Sequence, residues 1–375
     1  MPRILFAVLN WGLGHATRSI PVIRALHNEG AEVVLASDGD ALQVLKRTFP
    51  TLEVRELPGY NIRYGRKNSL VAIYSQVPHV IRTVAQEHRI LREWHHNAPF
   101  DGVVSDSRFG MWLSGIPSAF IGHQIAVLPP KPFEAFHLTA YRVHKQIIRP
   151  FSDWWLPDDP NLRLAGDLLH RFPLPKQTSK HAPHVDWIGV LSRFAGEPKP
   201  LRFIDKRLEI NEPFVAAVLS GPEPQRTMFQ DALIKVAPQL PLPLWIVEGR
   251  PDKQGFGHHQ NVRTIPFLDG VDLQHLLRTA KVVISRSGYS SLMDYVVLGI
   301  SGLVLVPTPG QTEQEHLGAN WKIHNRAAVC LQHNLKHLPD YIEQAKKCTE
   351  LEFNPNLLSQ TVQRWLDRCK AVRQV

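Results

Sequence analysis

The stretch from residue 282 to 320 constrains this chain more than any other. An apolar strand run at 281–285 passes into a small-residue turn, Arg286-Ser287-Gly288-Tyr289-Ser290-Ser291, and then into a helix through Asp294. A second strand run at 303–306 leads to a polar loop and helix start, Pro309-Gly310-Gln311-Thr312-Glu313-Gln314-Glu315-His316. Two successive strand-to-helix junctions, both rich in hydrogen-bonding side chains, are how an α/β protein builds a ligand crevice at the carboxyl ends of its strands.

The same alternation begins at the N-terminus. Residues 3–9 form a continuous apolar run, as a parallel strand buried on both faces requires. Asn10-Trp11-Gly12-Leu13-Gly14-His15 follows, then a helical pattern with Ile20, Ile23 and Leu26 on one face. Gly30 stands where a helix cap belongs, before a strand at 32–36. The six-residue apolar start runs straight into a glycine turn, so it reads as a first strand and not as a signal peptide. Further strand runs fall at 52–57, 102–105, 118–121 and 153–156. From 170 to 213, Pro173, Pro175, Pro183, Pro198, Pro200 and Pro213 erase the periodicity, as in a linker. A second unit then reads as strands at 214–219, 244–248 and 262–265. Its helices fall at 227–236, at 272–279 with Asp269 or Asp272 near the start, and at 335–346. A last amphipathic helix spans 357–372.

A chain of 375 residues exceeds one comfortable core. The expectation is therefore two α/β domains, 1–190 and 191–355, with the last helix (356–375) packing back on the first.

Composition narrows the class. Hydrophobic residues at 43% and charged residues at 21% describe an ordinary globular protein. No apolar run is long enough for a membrane span. Three cysteines without close pairing argue for a reducing compartment, so a cytoplasmic location is expected. The net charge is +9, and residues 51–150 hold twelve Lys/Arg against seven Asp/Glu. With Trp94, Phe133, Phe136, Tyr141, Phe151, Trp154 and Trp155 nearby, this region suits an anionic acceptor or peripheral contact with an anionic membrane at its inner face. A solvated basic face with aromatic core residues accounts for the same composition. No nucleic-acid motif accompanies the charge, so no nucleic-acid partner is expected.

Three loops carry the chemistry. Gly12 and Gly14 at the first strand-to-helix turn permit close backbone approach, and a helix start favours an anion. Thr17 occupies the third glycine position, so this is not a dinucleotide fingerprint. His15 at that helix start is a candidate general base, kept neutral by the helix N-terminus. Arg18, one turn on, suits a phosphate or carboxylate. The matching turn of the second unit, 220–226, offers Ser220 and Gly221 for an anion and Arg226 to neutralise it. Ser287 and Gly288 present backbone N–H groups suited to a diphosphate, and Asp294 suits a pair of ribose hydroxyls. Gln311, Glu313, Gln314 and Glu315 offer partners for the hydroxyls of a sugar.

In this order the residues resemble glycosyltransferase family 28, nucleotide-sugar enzymes of the GT-B fold that include the N-acetylglucosaminyltransferase of the peptidoglycan lipid intermediate. The resemblance covers most of the chain. It runs through the first loop to His15, Ile188-Gly189-Val190-Leu191-Ser192-Arg193, the loop at 220–226, Ile265-Pro266-Phe267-Leu268, the motif ending at Asp294, and 311–320. It implies two Rossmann-like domains facing each other across a cleft. The donor, a UDP-sugar, would lie on the C-terminal domain, and a sugar, lipid-linked or other hydroxyl acceptor on the N-terminal one. His15 would deprotonate the acceptor. Arg193, Ser220, Gly221, Ser287 and Gly288 would lie at the diphosphate, Phe267 and Leu268 at the uracil, Asp294 at the ribose, and Gln314 and Glu315 at the sugar. Asp294 replaces the family's usual glutamate, Glu315 its second glutamine, and the first loop has fewer glycines. No cofactor is implied. No metal is expected either, because Asp38-Gly39-Asp40 has the Asp-x-Asp form but follows the second strand of the other domain. A nucleotide-sugar hydrolase or epimerase on this fold, and a non-catalytic nucleotide-sugar-binding protein, are the alternatives.

Overall fold

The computed structural model describes residues 1–61, 69–129, 133–175, 182–197, 202–205, 208–268 and 270–373. Asp269 and parts of the proline-rich stretch lie outside them. The first unit runs β1 (Arg3–Val8), α1 (Leu13–Asn28), β2 (Glu32–Ser37), α2 (Gly39–Thr48), β3 (Glu53–Glu56), α3 (Ser69–Asn97), β4 (Gly102–Asp106), β5 (Ser118–Ile121), α4 (His137–Ile148), β6 (Asp153–Leu156), α5 (Asp167–His170) and β7 (His184–Trp187). The second runs β8 (Val215–Val218), α6 (Gln225–Val236), β9 (Leu244–Val247), β10 (Gly257–His259), β11 (Val262–Ile265), α7 (Gly270–Thr279), β12 (Val282–Ser285), α8 (Tyr289–Leu298), β13 (Leu303–Leu305), α9 (Thr312–Ile323), β14 (Ala328–Val329) and α10 (Leu338–Ala345), before α11 (Leu357–Arg373).

Each unit folds around one sheet. Their strand orders are β3-β2-β1-β4-β5-β6-β7 and β10-β11-β9-β8-β12-β13-β14. Apart from the antiparallel β10–β11 pair, the strands pair in parallel. The parallel strands explain the continuous apolar runs: Ile4 to Val8 and Val282 to Ile284 are fully buried because helices cover both faces. In each sheet the order reverses between two central strands, β1 and β4 in one, β8 and β12 in the other. A doubly wound sheet opens its ligand crevice at such a point. The sequence reading did not assign β7, β10 or β14, nor the helices α2, α3, α4 and α5.

The last helix belongs to the first sheet's core. Val362, Trp365, Leu366 and Cys369 of α11 are buried with Ile4, Phe6 and Val22, and the Trp365 ring meets Trp155 edge-on at 5.4 Å. Gly102 makes room for this packing, because a Cβ there would stand 2.6 Å from the Trp365 ring. The aromatic residues of the basic region divide. Tyr141, Phe151, Trp154 and Trp155 are core residues, so they are not part of an interfacial surface, whereas Phe133 and Phe136 are exposed. No described helix is long and apolar enough to cross a membrane.

Candidate functional site at the junction of the two sheets

The two switch points face each other. Ser290, in the first turn of α8, donates through Oγ to the Gly14 carbonyl in the first turn of α1 at 3.1 Å. A side chain at Gly14 would press on that hydroxyl, with a Cβ 2.9 Å from it. The N-termini of α1 and α8 therefore approach across the cleft. Neither helix carries an acidic residue of its own in its first turn.

On the N-terminal side, His15 stands over the end of β4. Asp106, the last residue of that strand, lies 2.8 Å from His15 Nδ1. Burial alone would raise the Asp106 pKa, but Arg18 and His15 hold it far below the usual carboxylate range. Arg18 Nη2 also lies 2.9 Å from Nδ1, but it is paired with the same Asp106 oxygen, and an ionised carboxylate only accepts; with Nδ1 donating to Asp106, Nε2 is the basic atom of the ring. Burial and the adjacent Arg18 guanidinium lower the His15 pKa against the opposing pull of Asp106. The result is a neutral, oriented imidazole.

Arg18 is buried, and its carboxylate partner is the protein's own. It pairs with both Asp106 oxygens, through Nε at 2.7 Å on one side and Nη2 on the other. Its Nη1 meets Nδ1 of His123. Across the cleft, His123 Nε2 lies 3.1 Å from Oε1 of Glu313 on α9, and the Tyr289 ring stacks on His123 at 4.4 Å. Burial would raise the Glu313 pKa, but His123 and Arg18 keep it below its ordinary value.

Below this layer, buried Arg108 ties three loops together. It donates to the Val8 carbonyl at 2.8 Å and to Glu87 Oε1 at 2.7 Å, and it pairs with Asp38. The loops after β1, β2 and β4 are thereby fixed, and with them the end of β4 that carries Asp106.

On the C-terminal side, Ser220 and Gly221 lie in an exposed loop at the β8 end of the second switch point. Gly221 has φ +95°, a conformation that a side chain would strain. The Arg226 guanidinium is engaged locally, with the Gly249 carbonyl at 2.7 Å and Glu223 at 2.9 Å. Ser287 and Gly288 enter α8; the Ser287 hydroxyl donates to the Gln314 carbonyl at 2.7 Å and locks α9 in place. Asp294 is buried and faces the interdomain segment, accepting from Ser192 Oγ at 2.6 Å with Arg193 Nε at 3.3 Å. Arg193 and Asp294 thus come together, with their charges opposed. Phe267 is half exposed and Leu268 buried at the end of β11.

The α9 entry sorts its own polar side chains. Gln314 accepts from the Thr308 amide at 2.9 Å and donates to Gln311 at 2.6 Å, while the exposed Glu315 accepts from the Gly310 amide at 3.0 Å. Glu313 is the carboxylate of this group that reaches the opposite domain, where His316 Nε2 also accepts from the Asp167 amide at 3.0 Å. Asp106, His123 and Arg108 were not singled out in the sequence. The signal was their place: Asp106 ends an apolar strand run, and His123 lies two residues beyond another, where ligand-facing loops begin.

Residues 248–360 match the family model for the Glycosyltransferase family 28 C-terminal domain. The fold is similar to three solved structures over nearly their whole lengths. The glycotransferase of kitacinnamycin is 15% identical, covering 100% of this chain and 98% of that one with a TM-score of 0.60. The calicheamicin glycosyltransferase CalG4 is 13% identical, covering 99% and 95% with a TM-score of 0.60. The spinosyn rhamnosyltransferase SpnG complexed with thymidine diphosphate is 16% identical, covering 99% and 96% with a TM-score of 0.59. No curated protein sequence matches the chain. At these identities the structural likeness establishes the fold, which is GT-B.

Proposed function

From the premise that this GT-B chain carries the C-terminal domain of glycosyltransferase family 28, we propose that it transfers a sugar from a nucleotide sugar, a UDP-sugar in the first instance, to a hydroxyl acceptor. The observation that carries this reading is the His15–Asp106 pair, placed at one switch point and opposite the donor-side loops of the other. His15 Nε2 takes the acceptor's proton as the acceptor oxygen attacks the anomeric carbon. The bond from that carbon to the diphosphate breaks, and the electron pair leaves with the phosphate. Backbone N–H groups at the start of α8 and in the 220–221 loop stabilise the departing charge. Phe267 lies against the base, and Gln311, Gln314 and Glu315 shape the sugar pocket. Asp294 orders the 192–193 segment against the donor domain.

The acceptor side belongs to the first domain, and the exposed residues of two of its helices favour a lipid-linked or anionic acceptor. Val77 and Ile81 on α3 and Leu138, Val143 and Ile147 on α4 are exposed, beside exposed Arg82, Arg142 and Arg149. Apolar residues among cations suit the boundary of an anionic lipid surface. A thermal-shift screen of nucleotide sugars and their nucleoside diphosphates tests the donor assignment, because a ligand that binds only the folded state raises Tm. A UDP-sugar is expected to raise Tm more than nucleoside monophosphates do. No shift from any nucleotide sugar would reject the donor site.

A further inference from the structure

The contact between His123 and Glu313 joins the hydrogen-bond network of the base to the donor domain. Its protonation pattern follows from the partners. Arginine has donors only, so Nδ1 of His123, which meets Arg18 Nη1, must accept. In the neutral ring Nε2 then carries the hydrogen and donates to Glu313 Oε1 at 3.1 Å. Tyr289 stacks on the ring with an interplanar angle of 31°, which restrains its plane. The Tyr289 hydroxyl is buried in this layer and has no hydrogen-bond partner among the described residues.

Glu313 differs from its neighbours in what holds it. Gln314 and Glu315 are tied to their own loop, at Thr308 and Gly310. The Glu313 carboxylate is held from the other domain, by an imidazole that is itself fixed by Arg18, and Arg18 is fixed by Asp106. A partly exposed glutamate would otherwise sample several rotamers, and orienting it before the ligand arrives removes that cost from binding.

Resting on the nucleotide-sugar reading above, we propose that His123 is a positioning residue for donor recognition. Anchored by Arg18, it holds the Glu313 carboxylate where that group accepts a hydroxyl of the donor sugar. The sugar is thereby registered to the same network that orients His15. Monomeric donors with a hydroxyl in reach of Glu313 gain from this arrangement, and the bare nucleoside diphosphate does not.

Calorimetric titration separates these cases without needing an acceptor. UDP, UDP-glucose, UDP-N-acetylglucosamine, dTDP and dTDP-glucose are titrated into wild type, His123→Leu, His123→Gln, Glu313→Ala and the His123→Leu/Glu313→Ala double variant. The quantity read is the ratio of Kd for a nucleotide sugar to Kd for its diphosphate. His123→Leu is expected to weaken the preferred nucleotide sugar about tenfold, the scale of one hydrogen bond to a charged group, and to leave the diphosphate unchanged. Glutamine can accept from Arg18 with its oxygen and donate to Glu313 with its nitrogen, so His123→Gln should retain wild-type ratios. Glu313→Ala should weaken it at least as much as His123→Leu, and the double variant should lose no more than Glu313→Ala alone. A wild-type ratio in His123→Leu, losses that multiply in the double variant, or equal loss of diphosphate binding would each overturn the assignment. Wild-type protein that binds none of the five ligands would overturn the nucleotide-sugar reading itself, and this inference with it.

Discussion

At the scale of single residues, the site depends on how Asp106 settles the state of His15. The sequence showed His15 at a helix start but not its partner, which lies 91 positions away and carries no local motif. Asp106 was legible only as a carboxylate ending a strand run, a position that gains meaning once the sheet order is known. Arg18 shows the converse: its nearness to the crevice was readable, but the acceptor it meets is internal. Replacing Asp106 with asparagine keeps the shape and removes the charge that fixes the tautomer. Turnover should fall about a hundredfold to ten-thousandfold, the range that positioned acid–base groups contribute. The pH profile gives the sign. A base works in its neutral form, and the His15 pKa is lowered from 6.5, so the acid limb of kcat/KM should lie below pH 6.5. Asp106 raises that pKa, so any residual activity of Asp106→Asn should titrate at still lower pH. An acid limb above the ordinary histidine value in wild type would contradict the assignment of His15 as the base.

At the scale of elements, the central strands were readable because parallel strands covered on both faces must be continuously apolar. The edge strands were not. The β7 sequence His-Val-Asp-Trp is only half buried, and β14 is two residues long, so neither imposes a pattern. α3 was missed for a different reason: Thr83, Glu87 and Leu91 mark its buried face, and two of the three are polar. Glu87 is buried there because Arg108 and Tyr60 bond its carboxylate. α11 shows its apolar period in the sequence, yet which core receives it is settled only by the return of the chain. Trp365 is fully buried at that junction. Trp365→Ala should destabilise the protein by about 3–5 kcal/mol, the usual cost of truncating a buried aromatic. Thermal or urea unfolding reads this directly, and a change within error of zero would mean that α11 does not form part of the first core in solution.

At the scale of the whole molecule, the sheets supply two crevices, and their opposition makes one site. The loops proposed to hold the donor stand in order along the sequence, each after a strand. Sequence distance hid the contacts that join them to the His15 side, Ser290 with Gly14 across 276 positions and Glu313 with His123 across 190. The exposed helices of the first domain belong to this scale as well. Exposed apolar side chains on α3 and α4 with arginines beside them should bring the protein down with vesicles containing anionic phospholipid at low salt, and less at high salt as the charges are screened. Absence from the pellet at both salt concentrations would exclude the lipid surface as a partner.

The central claim is that His15 deprotonates a hydroxyl acceptor while a nucleotide sugar is held across the cleft. It is tested most directly by measuring nucleoside diphosphate release from nucleotide sugars with and without hydroxyl acceptors, for wild type and His15→Ala side by side. Wild type should release diphosphate in an acceptor-dependent way. His15→Ala should lower that rate about a hundredfold or more while nucleotide affinity stays near wild type. Release that needs no acceptor, or an unchanged rate in His15→Ala, would contradict it.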